Sequence, residues 1–170
     1  MLICNYGLFW KVENVFWGKP NNKGDLCGYN SKHSEVDFSE QTGIYVLYAD
    51  YKIVYVGQTG AGNQRLLKRL NNHQWDHLSG RWNQFSWFGL RWVTNKHKLH
   101  ADAKRAGTKR QTALNHIEAV LIHAAEPSLN RQGGKWGKDV EHFYQVRDER
   151  LGPPVNEMIA KIYTKSDSKK

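Results

Sequence analysis

Two short apolar runs decide the fold: Gly43-Ile44-Tyr45-Val46-Leu47-Tyr48-Ala49 and Lys52-Ile53-Val54-Tyr55-Val56-Gly57. Both runs are rich in the β-branched and aromatic residues that favour strands. The connection between them is short enough for a hairpin. Glycines then break the second run, and helix formers follow over residues 64–70. The stretch therefore predicts two paired strands followed by a helix.

Working outward, the run from Phe85 to Val93 is continuously apolar and predicts a central strand covered on both faces. A long helix is predicted over 108–125, because Thr108 can cap it and Pro127 ends it. These elements indicate the α+β class, with a three-stranded antiparallel sheet (43–49, 52–56, 85–93) flanked by helices at 64–78 and 108–125. Residues 6–17 predict one or two further strands, an N-terminal β extension.

The length of 170 residues predicts a single domain with a core of its own. We assign its core to residues 41–132, with an N-terminal extension over 1–40 and a C-terminal extension over 133–170. No stretch approaches the length of a membrane span, and the first residues lack the pattern of a signal peptide. Two cysteines do not make a disulfide framework. A cytoplasmic protein without a membrane partner is expected.

The positive charge is concentrated in the middle of the chain. The net charge is +9, and residues 61–110 hold eleven Lys or Arg against two acids, a difference equal to the whole net charge. Such a basic patch indicates a polyanionic partner such as nucleic acid. A merely solvated basic surface is the alternative that charge alone leaves open.

The predicted long helix carries one acidic residue where an apolar one is expected. At 100° per residue, Glu118 falls about 40° from Leu114, inside the stripe that also holds Ile117, Leu121 and Ala125. His116 and His123 fall on the opposite side and are predicted to lie at the surface. A buried carboxylate needs compensation. Glu118 is therefore expected either to form an ion pair in the core or to bind a metal ion.

The pair Gly43-Ile44-Tyr45 and Tyr55-Val56-Gly57 resembles the signature of the GIY-YIG nucleases, with Val56 in place of the usual Ile. The resemblance spans residues 41–132 and includes an Arg and a His on the following helix. It is similar to the restriction-endonuclease branch, in which an Arg-x-x-x-His helix follows the hairpin. The resemblance implies the GIY-YIG fold and a divalent-metal-dependent endonuclease that hydrolyses DNA phosphodiester bonds by water attack, in restriction, phage defence or repair.

The resemblance also implies roles for individual residues. Tyr45 would act as the general base or position the water, with Tyr55 as a second hydroxyl near the phosphate. Arg69 would stabilise the transition state, although Arg65 competes for this role, and His73 would lie beside the attacking water. Glu118 would bind Mg²⁺ or Mn²⁺, and Asn130 would brace the metal site or a phosphate. A zinc site built on His73 and His77 is a weaker alternative, since no acidic residue completes a known zinc motif.

The expected nucleic-acid contacts come from the basic middle of the chain. They are Gln58, Arg65, Lys68, Arg81, Lys96, Lys104, Arg105, Lys109 and Arg110. Gln58 stands where many family members carry a Lys, so another cation would take over that charge. The expected partner is single- or double-stranded DNA, with RNA, a homodimer and a partner protein left open. The alternative function is a non-catalytic nucleic-acid-binding module or a partner-dependent subunit on the same scaffold.

Overall fold

The computed structural model describes residues 2–60, 64–101, 110–125, 136 and 139–159. The strands within these ranges are β1 (Asn5–Lys11), β2 (Phe16–Lys19), β3 (Asn22–Asp25), β4 (Cys27–Tyr29), β5 (Val36–Asp37), β6 (Gly43–Ala49), β7 (Lys52–Gln58), β8 (Gln84–Gly89), β9 (Glu141–His142) and β10 (Tyr144–Gln145). The helices are α1 (Leu66–Asn72) and α2 (Arg110–Ala125), with a further helical segment at 155–159 and 3₁₀ turns at Val12–Asn14 and Glu149–Leu151. No helix among the described residues is long and apolar enough to cross a membrane.

The chain is a mixed α+β protein whose main sheet has five strands in the order β7-β6-β8-β1-β9. β7, β6, β8 and β1 pair antiparallel, and β9 joins β1 in parallel. The prediction of three strands was therefore wrong in number. The N-terminal residues supply β1 as the fourth strand and the C-terminal residues supply β9, because β8 offers β1 a second pairing edge.

The third predicted strand is shorter than expected, since β8 ends at Gly89 rather than at Val93. The side chain of Gln41 is the cause. Its amide accepts a hydrogen bond from the Arg91 N–H and donates one to the Arg91 carbonyl. With these backbone groups already satisfied, the chain leaves the sheet at Leu90.

Hydrophobic clusters cover both faces of the sheet. One face packs Tyr45, Phe85 and Trp87 against the α1 side chains Leu66 and Leu70. The other face packs aromatic residues of β1, β6 and β8 against α2, and its buried members are Ile3, Tyr6, Val46, Tyr48, Phe88 and Ala124. Because side chains alternate along a strand, neighbouring residues of β6 point to opposite helices. Tyr45 therefore faces α1, whereas Val46 faces α2.

The buried side of α2 differs from the predicted one. His116, Ala119 and Ala124 are buried, whereas Ile117 and Leu121 of the predicted stripe are 51% and 62% exposed. Glu118 is exposed as well, so its predicted place inside the buried stripe was wrong. Placing His116 at the surface was also wrong.

Polar anchors explain this orientation of α2. The Ile3 N–H donates to His116 Nδ1 over 3.1 Å, and the Tyr48 hydroxyl donates to the Ala124 carbonyl over 2.9 Å. His123, predicted as a surface residue, is half-buried and stacks on Trp136 with ring centroids 5.4 Å apart. Small alanines let the helix approach an aromatic sheet surface, and the two histidines pack there as ring systems.

A separate hairpin of β2 and β3 projects beside the main sheet. Its turn is Lys19-Pro20-Asn21-Asn22, with Asn21 at φ 69°, the pattern of a type II turn. Arg150 holds the base of the hairpin: its guanidinium forms ion pairs with Asp25 and Asp148 and lies 3.8 Å from the centre of the Phe16 ring. A residue near the C-terminus therefore fixes an N-terminal element.

Candidate active site

The candidate site lies between β6, β7 and α1. Tyr45 is in the middle of β6, and Tyr55 is on the neighbouring strand β7. Arg69 and His73 lie one turn apart at the C-terminal end of α1, where the His73 N–H donates to the Arg69 carbonyl. Leu66 and Leu70 hold α1 on the same face of the sheet as Tyr45. The hairpin and the helix predicted from the sequence thus bring these four side chains together.

Gly57 makes room for the Tyr45 side chain. The two residues face each other across β6 and β7, and a Cβ atom at position 57 would lie 2.3 Å from the Tyr45 hydroxyl oxygen. Any side chain at this position would displace the phenol. The glycine that ends the second run is therefore needed for the position of Tyr45, not for the backbone turn.

Tyr45, His73 and Asp76 form a chain of two short hydrogen bonds. The Tyr45 hydroxyl lies 2.7 Å from His73 Nε2, and His73 Nδ1 lies 2.7 Å from Asp76 Oδ2. An ionised carboxylate only accepts hydrogen bonds, so the Nδ1 atom carries the ring proton and donates it to Asp76. Nε2 is then an acceptor, and the Tyr45 hydroxyl donates to it. The arrangement has the connectivity of a nucleophile–His–Asp triad, with a phenol at its head.

Asp76 is held in its ionised form by the turn that follows α1. The Leu78 N–H donates to Asp76 Oδ1 over 2.8 Å, and this hydrogen bond, followed by the one from His73, lowers the pKa of Asp76 below its ordinary value. The side chain is one-third exposed, which leaves the carboxylate partly hydrated. Asp76 therefore fixes the tautomer and the orientation of His73 at neutral pH.

Arg69 lies against the hydroxyl groups of both tyrosines. Burial raises the pKa of Tyr45, and the adjacent Arg69 guanidinium opposes that rise. The interaction with Tyr45 in turn raises the pKa of Arg69. The Arg69 Nε atom is buried and has no hydrogen-bond partner among the described residues. Arg69 therefore has an Nε donor without a partner, and it lies beside Tyr45, whose hydroxyl can pass its proton to His73.

Tyr55 and Arg69 form the mouth of the site. Both are partly exposed, whereas Tyr45 and His73 beneath them are 0% and 3% exposed. The Tyr55 ring meets the His73 ring edge-on, with centroids 5.0 Å apart. An incoming anion would therefore meet Arg69 and Tyr55 first.

Glu118 is not part of this cluster. Glu118 is exposed on α2, which packs on the other face of the sheet, and Asn130 lies outside the described residues. In the described ranges, no three His, Cys, Asp or Glu side chains are grouped as a metal site. The only carboxylate among the residues that meet, Asp76, is already bonded to His73 and Leu78. Among the described residues, this cluster therefore offers no unbonded carboxylate to the metal ion that the resemblance implies.

The predicted nucleic-acid contacts that the structure describes lie on several different elements. Arg65 and Lys68 lie on or next to α1, close in sequence to Arg69. Gln58 ends β7, Arg81 follows the turn at Gly80, and Lys96 lies in an exposed loop. Lys104, Arg105 and Lys109 lie outside the described residues, and the side chain of Arg110 is likewise not described.

Sequence analysis missed Asp76 as a site residue. The available signal was its spacing: His73-x-x-Asp76 places a carboxylate three residues after a histidine at a helix end. Sequence patterns treat an acid in a turn as a cap or a surface charge, and Asp76 does serve the turn through the Leu78 N–H. Its second function becomes visible only once the His73 ring is placed.

The comparisons with known proteins leave the family open. No family model matches the chain, and no curated protein or solved structure shows significant similarity to it.

Proposed function

We propose that this chain hydrolyses phosphodiester bonds in DNA. The Tyr45–His73–Asp76 hydrogen-bond chain beside Arg69 carries the proposal. Such a chain can take up a proton, and a guanidinium can bind the extra negative charge of a phosphoryl transition state. The paired tyrosine motifs and the basic character of the chain support the same proposal.

Proton transfer would run along the hydrogen-bond chain. Tyr45 passes its proton to His73 Nε2 and takes one from the attacking water, while Asp76 stabilises the imidazolium that forms. The water oxygen bonds to phosphorus, the bond to the leaving oxygen breaks, and that oxygen takes a proton from solvent. A buried general base of this kind contributes about 10²- to 10⁴-fold to the rate.

Arg69 would both bind the phosphate and uncover the base. In the free protein it lies against the two tyrosine hydroxyls. The transition state carries extra negative charge on the phosphate. A guanidinium therefore forms stronger, charge-assisted hydrogen bonds with it than with a neutral phenol. Substrate therefore draws Arg69 outward, engages its unpaired Nε donor, and opens the path between water and Tyr45.

A non-catalytic nucleic-acid-binding module is the second candidate. The burial of the Tyr45 hydroxyl beneath Arg69 and the distance of Glu118 from the cluster in the fold favour it. This alternative predicts DNA binding that does not lead to cleavage under any condition.

The test is incubation of the purified chain with supercoiled plasmid and with single-stranded DNA, in Mg²⁺, Mn²⁺ or EDTA. Divalent cations are included because the resemblance implies one. We expect cleavage by the parent, and a loss of about a thousandfold in Arg69→Ala, by analogy with other phosphoryl-transfer arginines. The Arg147→Ala variant serves as the control, since the Arg147 guanidinium donates to Glu13, Asn14 and Gly152 and not to any residue of the candidate site. A parent that binds DNA but never cuts it contradicts the proposal and supports the binding module.

A further inference from the structure

A wide groove lies on the side of α1 next to Arg65. Its volume is about 640 Å³, and the β2–β3 hairpin forms one wall while α1 forms the other. The hairpin contributes Lys19 and Lys23, and the helix side contributes Arg65 and Lys68. These four cations face one anion, Glu40, so the lining carries a net charge of +3.

Glu40 ties the two walls together. Its carboxylate lies 2.8 Å from Lys23 Nζ and 3.7 Å from Arg65 Nε. The Lys23 side chain is nevertheless 70% exposed, so it remains accessible to a ligand. Lys19 and Lys68 are exposed as well and form no ion pair with a described residue within 4.0 Å.

The groove and the candidate active site both lie along α1. Arg65 and Arg69 are one turn apart, about 6 Å along the helix axis. The half-buried Trp17 lines the groove beside the lysines, and its ring meets Trp82 edge-on. Cations on both walls with an aromatic side chain between them match the chemistry of a sugar–phosphate backbone.

We propose that this groove binds the sugar–phosphate backbone of the DNA strand next to the bond that is cut, with the β2–β3 hairpin as an essential wall. The inference rests on the proposed function and extends it to an N-terminal element in which the sequence shows no chemistry. Lys19 and Lys23 contact phosphates on one side of the strand, and Arg65 and Lys68 contact them on the other.

The test is fluorescence anisotropy with a labelled 20-base-pair DNA duplex and the matching single strand, in EDTA, over a series of NaCl concentrations. For Lys19→Ala/Lys23→Ala, we expect the dissociation constant to rise about tenfold and the slope of log K against log salt to fall by roughly 1.8 on the duplex, or by roughly 1.4 on the single strand. Glu40→Gln should act in the opposite direction and tighten binding, since it removes the one anion of the groove. The DNA, duplex or single strand, whose affinity falls more in Lys19→Ala/Lys23→Ala is the form that the groove binds.

Lys32→Ala is the matched control. Lys32 is 63% exposed and pairs with Glu141 over 3.0 Å, much as Lys23 pairs with Glu40, but it does not line the groove. The proposed role of the groove would be contradicted if Lys23→Ala and Lys32→Ala lost equal DNA affinity. An unchanged salt slope in Lys19→Ala/Lys23→Ala would contradict it as well. Cleavage is assayed separately with Mg²⁺. If the parent cuts DNA while the groove variants bind it normally, the groove proposal is refuted and the proposed nuclease function stands. If the parent binds DNA through the groove but never cuts it, the proposed nuclease function is refuted and the groove proposal stands.

Discussion

At the scale of single residues, Asp76 decides which proton His73 carries. An Asn at this position can donate its amide N–H to His73 Nδ1, which would move the ring proton to Nε2 and leave Tyr45 without an acceptor. We expect Asp76→Asn to slow DNA cleavage on the order of a hundredfold or more while DNA affinity is unchanged. Single-turnover cleavage and anisotropy measure the two effects.

Asp50→Asn is the control for this change, because Asp50 also accepts a side-chain hydrogen bond but lies at the hairpin turn, away from His73. Equal cleavage rates in the parent and in Asp76→Asn would contradict the assigned role of Asp76.

The second prediction at this scale concerns Gly57. A methyl group at position 57 would clash with the Tyr45 hydroxyl, so Gly57→Ala should break the bond to His73 and abolish most cleavage. Gly80→Ala provides the comparison: its Cβ would meet open space but its φ of 69° is unfavourable. That variant should lose about 1 kcal/mol of unfolding free energy and keep its activity. Full activity in Gly57→Ala would show that the contact does not matter.

At the scale of elements, the orientation of α2 can be tested by substitution on its two sides. Ala119 is fully buried, so Ala119→Leu should overpack the interface and cost about 1–3 kcal/mol of unfolding free energy. Leu121 is 62% exposed, and Leu121→Gln should change it by less than about 0.5 kcal/mol. Urea unfolding measures both. The reverse ranking would mean that the predicted aliphatic stripe, and Glu118 with it, is buried.

Glu118→Gln extends this test to function. The resemblance predicts that the change abolishes cleavage, whereas the exposed position of Glu118 on α2 predicts that cleavage survives. The cleavage rates of the variant and the parent are measured side by side. Loss of cleavage would assign α2 a role in catalysis, whereas retained cleavage would mean that α2 only covers the sheet.

The elements could be predicted from the sequence to very different extents. The strands predicted at 43–49 and 52–56 are found as β6 and as β7, which extends to Gln58, because β-branched runs and glycines are local signals. The helix predicted over 64–78 is present only as α1, Leu66–Asn72, so its predicted C-terminal end was wrong. The face of α2 does not, since periodicity assumes that aliphatic side chains are buried. Here His116 and the alanines are buried instead, because the sheet presents aromatic rings and the Ile3 N–H, just before β1, donates to His116. Likewise, β1 and β9 join the sheet through pairings between distant parts of the chain.

At the scale of the whole molecule, stability should fall in alkali. Burial raises the pKa of Tyr6, Tyr45 and Cys27 above their ordinary values of 10.0, 10.0 and 9.0. A raised pKa in the folded state means that the folded chain holds its protons longer than the unfolded chain. The contribution is thus complete below about pH 9 and is lost as the pH rises beyond it, by up to about 1.4 kcal/mol per pH unit for each group.

Urea unfolding between pH 7 and pH 11 checks this prediction. Because burial raises the pKa of Tyr6, Tyr6→Phe should reduce the decline in the free energy of unfolding above pH 10. A flat profile for the parent would contradict it.

The position of β1 has a consequence for how the chain folds. This N-terminal strand lies between β8 and β9, and the backbone N–H of Lys11 donates to the side chain of Gln145, 134 residues away. β1 therefore finds its partners only in β8 and β9, which lie far from it along the chain. Loop closure over such distances slows folding. Until these pairings form, the apolar strands of the sheet are exposed, and such exposure favours aggregation.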